Sequence, residues 1–477
     1  MPIIRNEREL KEFRSAIHQY FNNRADSAME LLDALCSNQS ARTPVELSLN
    51  PLFTRGHDSL FKAIQESLIA LDTSEGRSPS GCSLIELICQ TVPSPSEFPY
   101  AVFGVDCTSI SRVHAHTLLD RSFVHQPTVI SIQKPVTIGH SYSMMGALPQ
   151  RNPDDARWSI PLDITRVSSD SNALDVGVSQ VKALMSSKAV AWHGELSVNV
   201  ADSAYGVKRF LHPLQEYSSL VNVVRVRPNR VFYQAPPSSP KPRAKGHPRW
   251  YGKRFALKEA DTWHPPDAQM DLQEIGKNGV ITVYLQSWSN MLMRGSREHP
   301  MHHHPFTLVR VERCNAEGRR IGKVMWLIVM GSLRDQIDLH EAYLAYCQRF
   351  DLEHSFRCLK QNLLLDAFQT PEVEHEQSWL RLVILAYVQL WAALPLSIET
   401  LKPWESTKER RPESRIPPSK VMQDWNRIIR LVGTPAAEVK PRGKSPGRQR
   451  GETQTPRKRH PVIKKGNART PDARKAA

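Results

Sequence analysis

Tyr346-Cys-Gln-Arg-Phe-Asp-Leu-Glu-His-Ser-Phe-Arg-Cys-Leu-Lys360 is the stretch around which the rest of this 477-residue chain is organised. At about 100° per residue, Tyr346, Arg349, Glu353 and Lys360 fall within one helical stripe about 60° wide. Leu352, Phe356 and Leu359 fall on a neighbouring stripe that can pack against a core. A carboxylate flanked by a phenol, a guanidinium and an ammonium suits a metal ligand beside a phosphate backbone. The arginine can fork two phosphate oxygens, the lysine adds a point charge, and the phenol donates one hydrogen bond. The alternative is a solvated helix face with i,i+4 ion pairs, such as Glu353 with Arg357.

Upstream, two apolar runs end in carboxylates: Ala101-Val-Phe-Gly-Val-Asp106 and Leu196-Ser-Val-Asn-Val-Ala-Asp202. Taken singly, an aspartate at a strand end is more often a turn or cap residue. Strand-like segments recur at Val136 to Met144 and Trp158 to Val167, and Asn172 to Met185 reads as a helix. Strands alternating with helices in this way predict a mixed α/β sheet, whose ligands gather at strand ends.

The spacing of Tyr346, two residues, Arg349, three residues, Glu353, six residues and Lys360 resembles, at every position, the signature of a large group of bacterial insertion-sequence transposases. The resemblance covers roughly residues 96 to 400. It implies an RNase H-like catalytic domain with an Asp-Asp-Glu triad, here Asp106, Asp202 and Glu353. The triad would hold two Mg2+ ions, with Mn2+ able to substitute. Asp106 would bridge them, with Asp202 on one metal and Glu353 on the other. The tyrosine and glycine that often follow the second aspartate are present as Tyr205 and Gly206. Tyr346, Arg349 and Lys360 are the expected DNA contacts. Trp326, in the strand before the signature helix, is expected to stack on an extruded base, as its counterpart does in hairpin-forming members, or else to pack in the sheet. Partners are transposon ends and target DNA, and pairing two ends implies at least a homodimer. An RNase H-like nuclease without strand transfer, or a domesticated DNA-binding protein, are the competing readings.

The expected organisation follows. Residues 1–95 form a helical N-terminal domain, expected from the resemblance to recognise the element's ends. The first half of the catalytic core spans 96–222 and the second half 323–400. Between Asp202 and Glu353 lie 150 residues, where a bare return to the core needs only about 40 to 60. A β-rich insertion over 223–322 accounts for the surplus. It contains a proline- and lysine-rich loop from Ala235 to Trp250, followed by Lys253 and Arg254 as expected phosphate contacts. A basic tail over 401–477, mostly disordered after 433, completes the chain.

Charge is concentrated in that tail. From Lys402 onward there are 21 Lys/Arg and 7 Asp/Glu, so the tail carries +14 of the formal +15. Such a tail attracts a polyanion, nucleic acid before membrane. Deleting 434–477 is therefore expected to weaken non-specific duplex binding and flatten its salt dependence, read by titration at several ionic strengths. Seven cysteines form no C-x-x-C pair, which suits free thiols in a cytoplasmic, nucleoid-associated protein. The N-terminus has no apolar signal segment, and the run Leu380 to Leu396 is expected to be a buried amphipathic helix rather than a membrane span.

Overall fold

The computed structural model describes residues 3–68, 82–95, 99–126, 135–149, 152, 154–236, 250–276, 279–399, 401, 404, 412–441, 447, 449–451, 453 and 455–464. Most of the Ala235 to Trp250 loop and the end of the tail lie outside these residues. The helices are α1 (Glu7–Tyr20), α2 (Ala25–Cys36), α3 (Pro44–Leu47), α4 (His57–Glu66), α5 (Leu84–Cys89), α6 (Ala173–Ser186), α7 (Lys208–Leu211), α8 (Leu339–Gln348), α9 (Phe350–Gln361), α10 (Val373–Ala393) and α11 (Pro418–Val432). The strands are β1 (Ala101–Ser111), β2 (Ser122–His125), β3 (Val136–Leu148), β4 (Ile160–Val167), β5 (Ser197–Ala201), β6 (Leu220–Val226), β7 (Val231–Tyr233), β8 (Arg254–Ala256), β9 (Ala268–Gly276), β10 (Gly279–Met291), β11 (Phe306–Cys314) and β12 (Met325–Met330).

Ten strands form one sheet in the order β2-β3-β1-β5-β6-β12-β11-β10-β9, with β4 also paired to β3. The centre, β4-β3-β1-β5-β6, is RNase H-like: β1, β5 and β6 are parallel, and β3 is antiparallel to both β1 and β4. Central strands covered on both faces read as unbroken apolar runs rather than alternating ones. Hence Ala101–Val105 and Ser197–Ala201 are buried at every position. The expected β-rich insertion does not fold apart from this sheet. Its strands β9, β10 and β11 extend the sheet beyond β12, and only β7 and β8 pair separately. β9 alternates Ala268, Met270 and Leu272 with polar residues, yet it is an exposed edge strand that buries little.

The helical face is built around α10, which is buried from Glu376 to Ala393 except at Arg381. It is long and apolar enough to cross a membrane, but 83% of its most apolar window is covered by protein. α1, α2, α4 and α11 pack against it. Arg14 of α1 is buried, forks Asp33 of α2 at 2.7 and 2.8 Å, and donates to Gln389 of α10 at 2.6 Å. The N-terminal helices therefore share one core with the sheet. Within the stretch expected to lack structure after 433, residues 455–464 run against β2: Ile463 bridges to Ser122 at the sheet edge.

Leu339 to Leu364 reads as one helix in sequence but folds as two. At Arg349 the backbone tightens, its N–H bonding Tyr346 O at 3.1 Å in an i→i−3 turn. Arg349 keeps right-handed helical angles (φ −51°, ψ −32°), so the side-chain stripe continues across the joint.

Candidate active site

Residue types along β1 and β5 bring two carboxylates together. Val105 is in register with Ala201 on the neighbouring parallel strand, so Asp106 and Asp202 follow at the same level of adjacent strands, about 4.8 Å apart in the pairing direction. Asp106 Oδ1 accepts the Cys107 N–H at 2.8 Å, and Asp202 Oδ1 accepts the Ser203 N–H.

Glu353 reaches this corner because of two glycines. Gly104 of β1 and Gly146 of β3 are cross-strand partners, and Leu352 of α9 lies over both. A Cβ on Gly104 would meet Leu352 Cδ1 and Val200 O at 2.9 Å, and one on Gly146 would meet Leu352 Cδ2 at 3.0 Å. Only bare backbone lets α9 sit this low on the sheet. Gly104→Ala is expected to displace α9 by a fraction of an ångström. It should lower nuclease activity by about 10-fold, because small misplacements of reacting groups are costly. Activity assays beside urea unfolding check that the loss exceeds any change in folded fraction.

Arg349 ties the corner together. Its guanidinium donates to Asp106 at 3.0 Å and to Glu353 at 2.5 Å. The ion pair on this helix is therefore Arg349 with Glu353, at i,i+4, not Glu353 with Arg357. Tyr346 is only 3% exposed, and Arg349 Cζ stands 6.0 Å from its ring. Burial raises the Tyr346 phenol above its ordinary value despite the nearby Arg349 charge. Its place is behind the arginine, not on the surface. Burial also pushes the Asp106 carboxyl up to about 6, and the Asp202 and Glu353 charges push the same way against Arg349. Lys360 donates to Ser109 O at 3.0 Å, three residues along β1 from Asp106, and burial lowers its ammonium.

The other expected DNA contacts lie elsewhere. Arg254 opens β8 and grips Glu259 at 2.5 and 2.7 Å, and Lys253 precedes it on the same ribbon. Trp326 is 3% exposed, with Trp263, Trp288 and Phe255 at ring separations of 5.2, 5.7 and 6.3 Å. A base could stack on it only by displacing one of these rings, and in this structure the indole is packed within the sheet. Trp326→Phe is expected to cost about 1 kcal/mol of stability and to leave duplex affinity within about 2-fold, measured by unfolding and by anisotropy.

Residues 16–283 match the family model of the DDE superfamily endonucleases. The chain belongs to this family. No curated protein matches it. A DDE superfamily endonuclease is a metal-dependent nuclease acting on DNA, of the kind that includes transposases. The match contains Asp106 and Asp202 and stops short of Glu353, whose place in the site rests on the packing of α9. Among the described residues no three His, Cys, Asp or Glu side chains stand ready-grouped around a metal position. The donor chemistry nonetheless suits a hard divalent cation, since Asp106 and Glu353 share one guanidinium and the Asp202 charge is felt at Asp106. The glycines under Leu352 were not singled out in the sequence. The signal for Gly104 is a glycine inside an otherwise apolar strand, two residues before its carboxylate, and Gly146 carries no such mark.

Proposed function

We propose that this DDE endonuclease is a transposase of the bacterial insertion-sequence type. It binds the ends of its element, cleaves them with Mg2+, for which Mn2+ substitutes, and joins them to target DNA. The observation that carries the reading is the corner itself. Asp106 and Asp202 stand level on adjacent parallel strands, and α9 brings Glu353 against Asp106 through Arg349.

When bound, two divalent ions supply activation of the attacking oxygen and stabilisation of the leaving oxygen. Asp106, Asp202 and Glu353 are the residues that would hold them. Arg349 neutralises Asp106 and Glu353 and fixes their separation, and it can turn its fork to a phosphate when the carboxylates find another cation. Tyr346 holds the arginine from behind. Lys360 sets the C-terminal half of β1 against α9 and places a positive charge beside the path of the strand. Pairing of two ends requires at least two copies on DNA.

The test is a plasmid carrying the DNA that flanks this gene, incubated with purified protein in Mg2+, in Mn2+ and in EDTA. Cuts at both flanks and joined products that need the metal are expected. Cuts without joined products would leave a nuclease that does not transfer strands. Tight binding with no cuts would leave a DNA-binding protein only.

A further inference from the structure

We infer that the basic C-terminal segment 455–464 is an anchored strap that lays a fixed row of cations along the DNA path, rather than a free polycation. The inference rests on the DNA-binding reading and adds to it where the second stretch of backbone runs.

The anchoring is specific. Arg121, 2% exposed, spreads its guanidinium over three carbonyls: Arg112 O at 3.1 Å, Val113 O at 3.0 Å and His460 O at 3.2 Å. In return the Ile463 N–H bonds Arg121 O at 2.7 Å and the His460 N–H bonds His116 O at 2.9 Å. Ile463 pairs in parallel with Ser122, on the open edge of β2, where unpaired backbone groups would otherwise face solvent. Arg457 is also paired with Glu372, at the head of α10. A buried guanidinium whose partners include a tail carbonyl is left short of acceptors when the tail leaves, so departure carries a real penalty.

The strap presents Lys458, Arg459 and Lys464 on its exposed side. Its position relative to the carboxylates follows from register. Asp106 and Ser111 are five residues apart on β1, ~17 Å at strand rise. Ser111 faces Gly139 of β3, which faces Ser122 of β2. Lys360, on Ser109 O, stands between. A duplex whose backbone reaches Asp106 therefore has the strap within one helical turn of ~34 Å. Phosphates are the ligand, and the contact is with the backbone, independent of base sequence.

The experiment separates position from charge. Full-length protein, Ile463→Pro and a deletion of 455–477 are titrated with a mixed-sequence 30-base-pair duplex in EDTA over a range of salt. Ile463→Pro removes the N–H that bonds Arg121 and alters no charge. Trypsin cleavage after Lys458 and Arg459, without DNA, reports whether the strap is seated. The expected result is rapid tail cleavage in Ile463→Pro and affinity reduced on the order of 10-fold, close to that of the deletion. Wild-type affinity in Ile463→Pro with weak binding by the deletion overturns the inference in favour of a free polycation. Wild-type affinity in both also overturns it, as does a trypsin pattern in Ile463→Pro that matches wild type. If the wild-type chain binds no duplex at all, the DNA reading falls with it. Loss of plasmid cleavage alone leaves the strap untouched.

Discussion

Glu353→Gln is expected to abolish metal-dependent cleavage while leaving duplex binding intact. Glutamine keeps the length and shape of the side chain and can still accept from Arg349, so the packing of α9 over Gly104 and Gly146 is retained. What is lost is one negative charge in a corner where Asp106, Asp202 and Glu353 already crowd one another. Even partners one shell removed from a metal cost 10- to 100-fold in affinity or activity when mutated. Loss of a ligand should therefore cost more than ~100-fold in cleavage rate. The measurement is single-turnover cleavage of the flanking-DNA plasmid, with anisotropy for binding. A variant that still cut within a few-fold of wild type would remove Glu353 from the site and leave the two aspartates without a helix partner. Glu353 is 48% exposed at its side chain, so the substitution itself should not unfold the protein.

Glu376→Gln should instead cost stability, by about 3–5 kcal/mol, because it leaves a buried guanidinium without its counter-charge. Glu376 and Arg112 are both fully enclosed and paired at 2.5 Å, and the second carboxylate oxygen takes His140 and Tyr142. This cluster locks the first turn of α10 to the end of β1 and the middle of β3. Burial pushes the Glu376 carboxyl up, but the His140 hydrogen bond and the Arg112 charge outweigh it and hold the group below its ordinary value of 4.5. A carboxyl depressed in the folded state contributes fully above its unfolded value and loses that contribution as pH falls through the folded one. The gap between wild type and variant should therefore be constant at neutral pH and close only below about pH 4.5. Urea unfolding at pH 7, 5 and 4 measures it.

These two carboxylates show where the sequence is legible. Glu353 announces itself by helical spacing with Arg349 and Lys360, and Asp106 and Asp202 by closing apolar runs. Each signal is local, within about fifteen residues. Glu376 lies at the start of an apolar helix with nothing nearby to mark it. Its partners are 234 to 264 residues away in the chain, and no periodicity reports a contact at that range. The same limit hid how β9 to β11 join the sheet beyond β12, since patterning marks a strand and not its partner. It hid the strap as well, because residues 455–464 gain structure only from the edge of β2.

The amino-acid order alone pointed to a mixed α/β sheet and to three candidate carboxylates, since period, strand-end chemistry and the Tyr-Arg-Glu-Lys spacing are properties of neighbouring residues. Tertiary structure decided that Tyr346 and Trp326 are enclosed, that Arg349 joins two of the carboxylates, and that the N-terminal helices share the core of α10. Burial and pairing at those positions depend on which distant surfaces meet. That is set by the packing of the whole chain and not by any stretch of it.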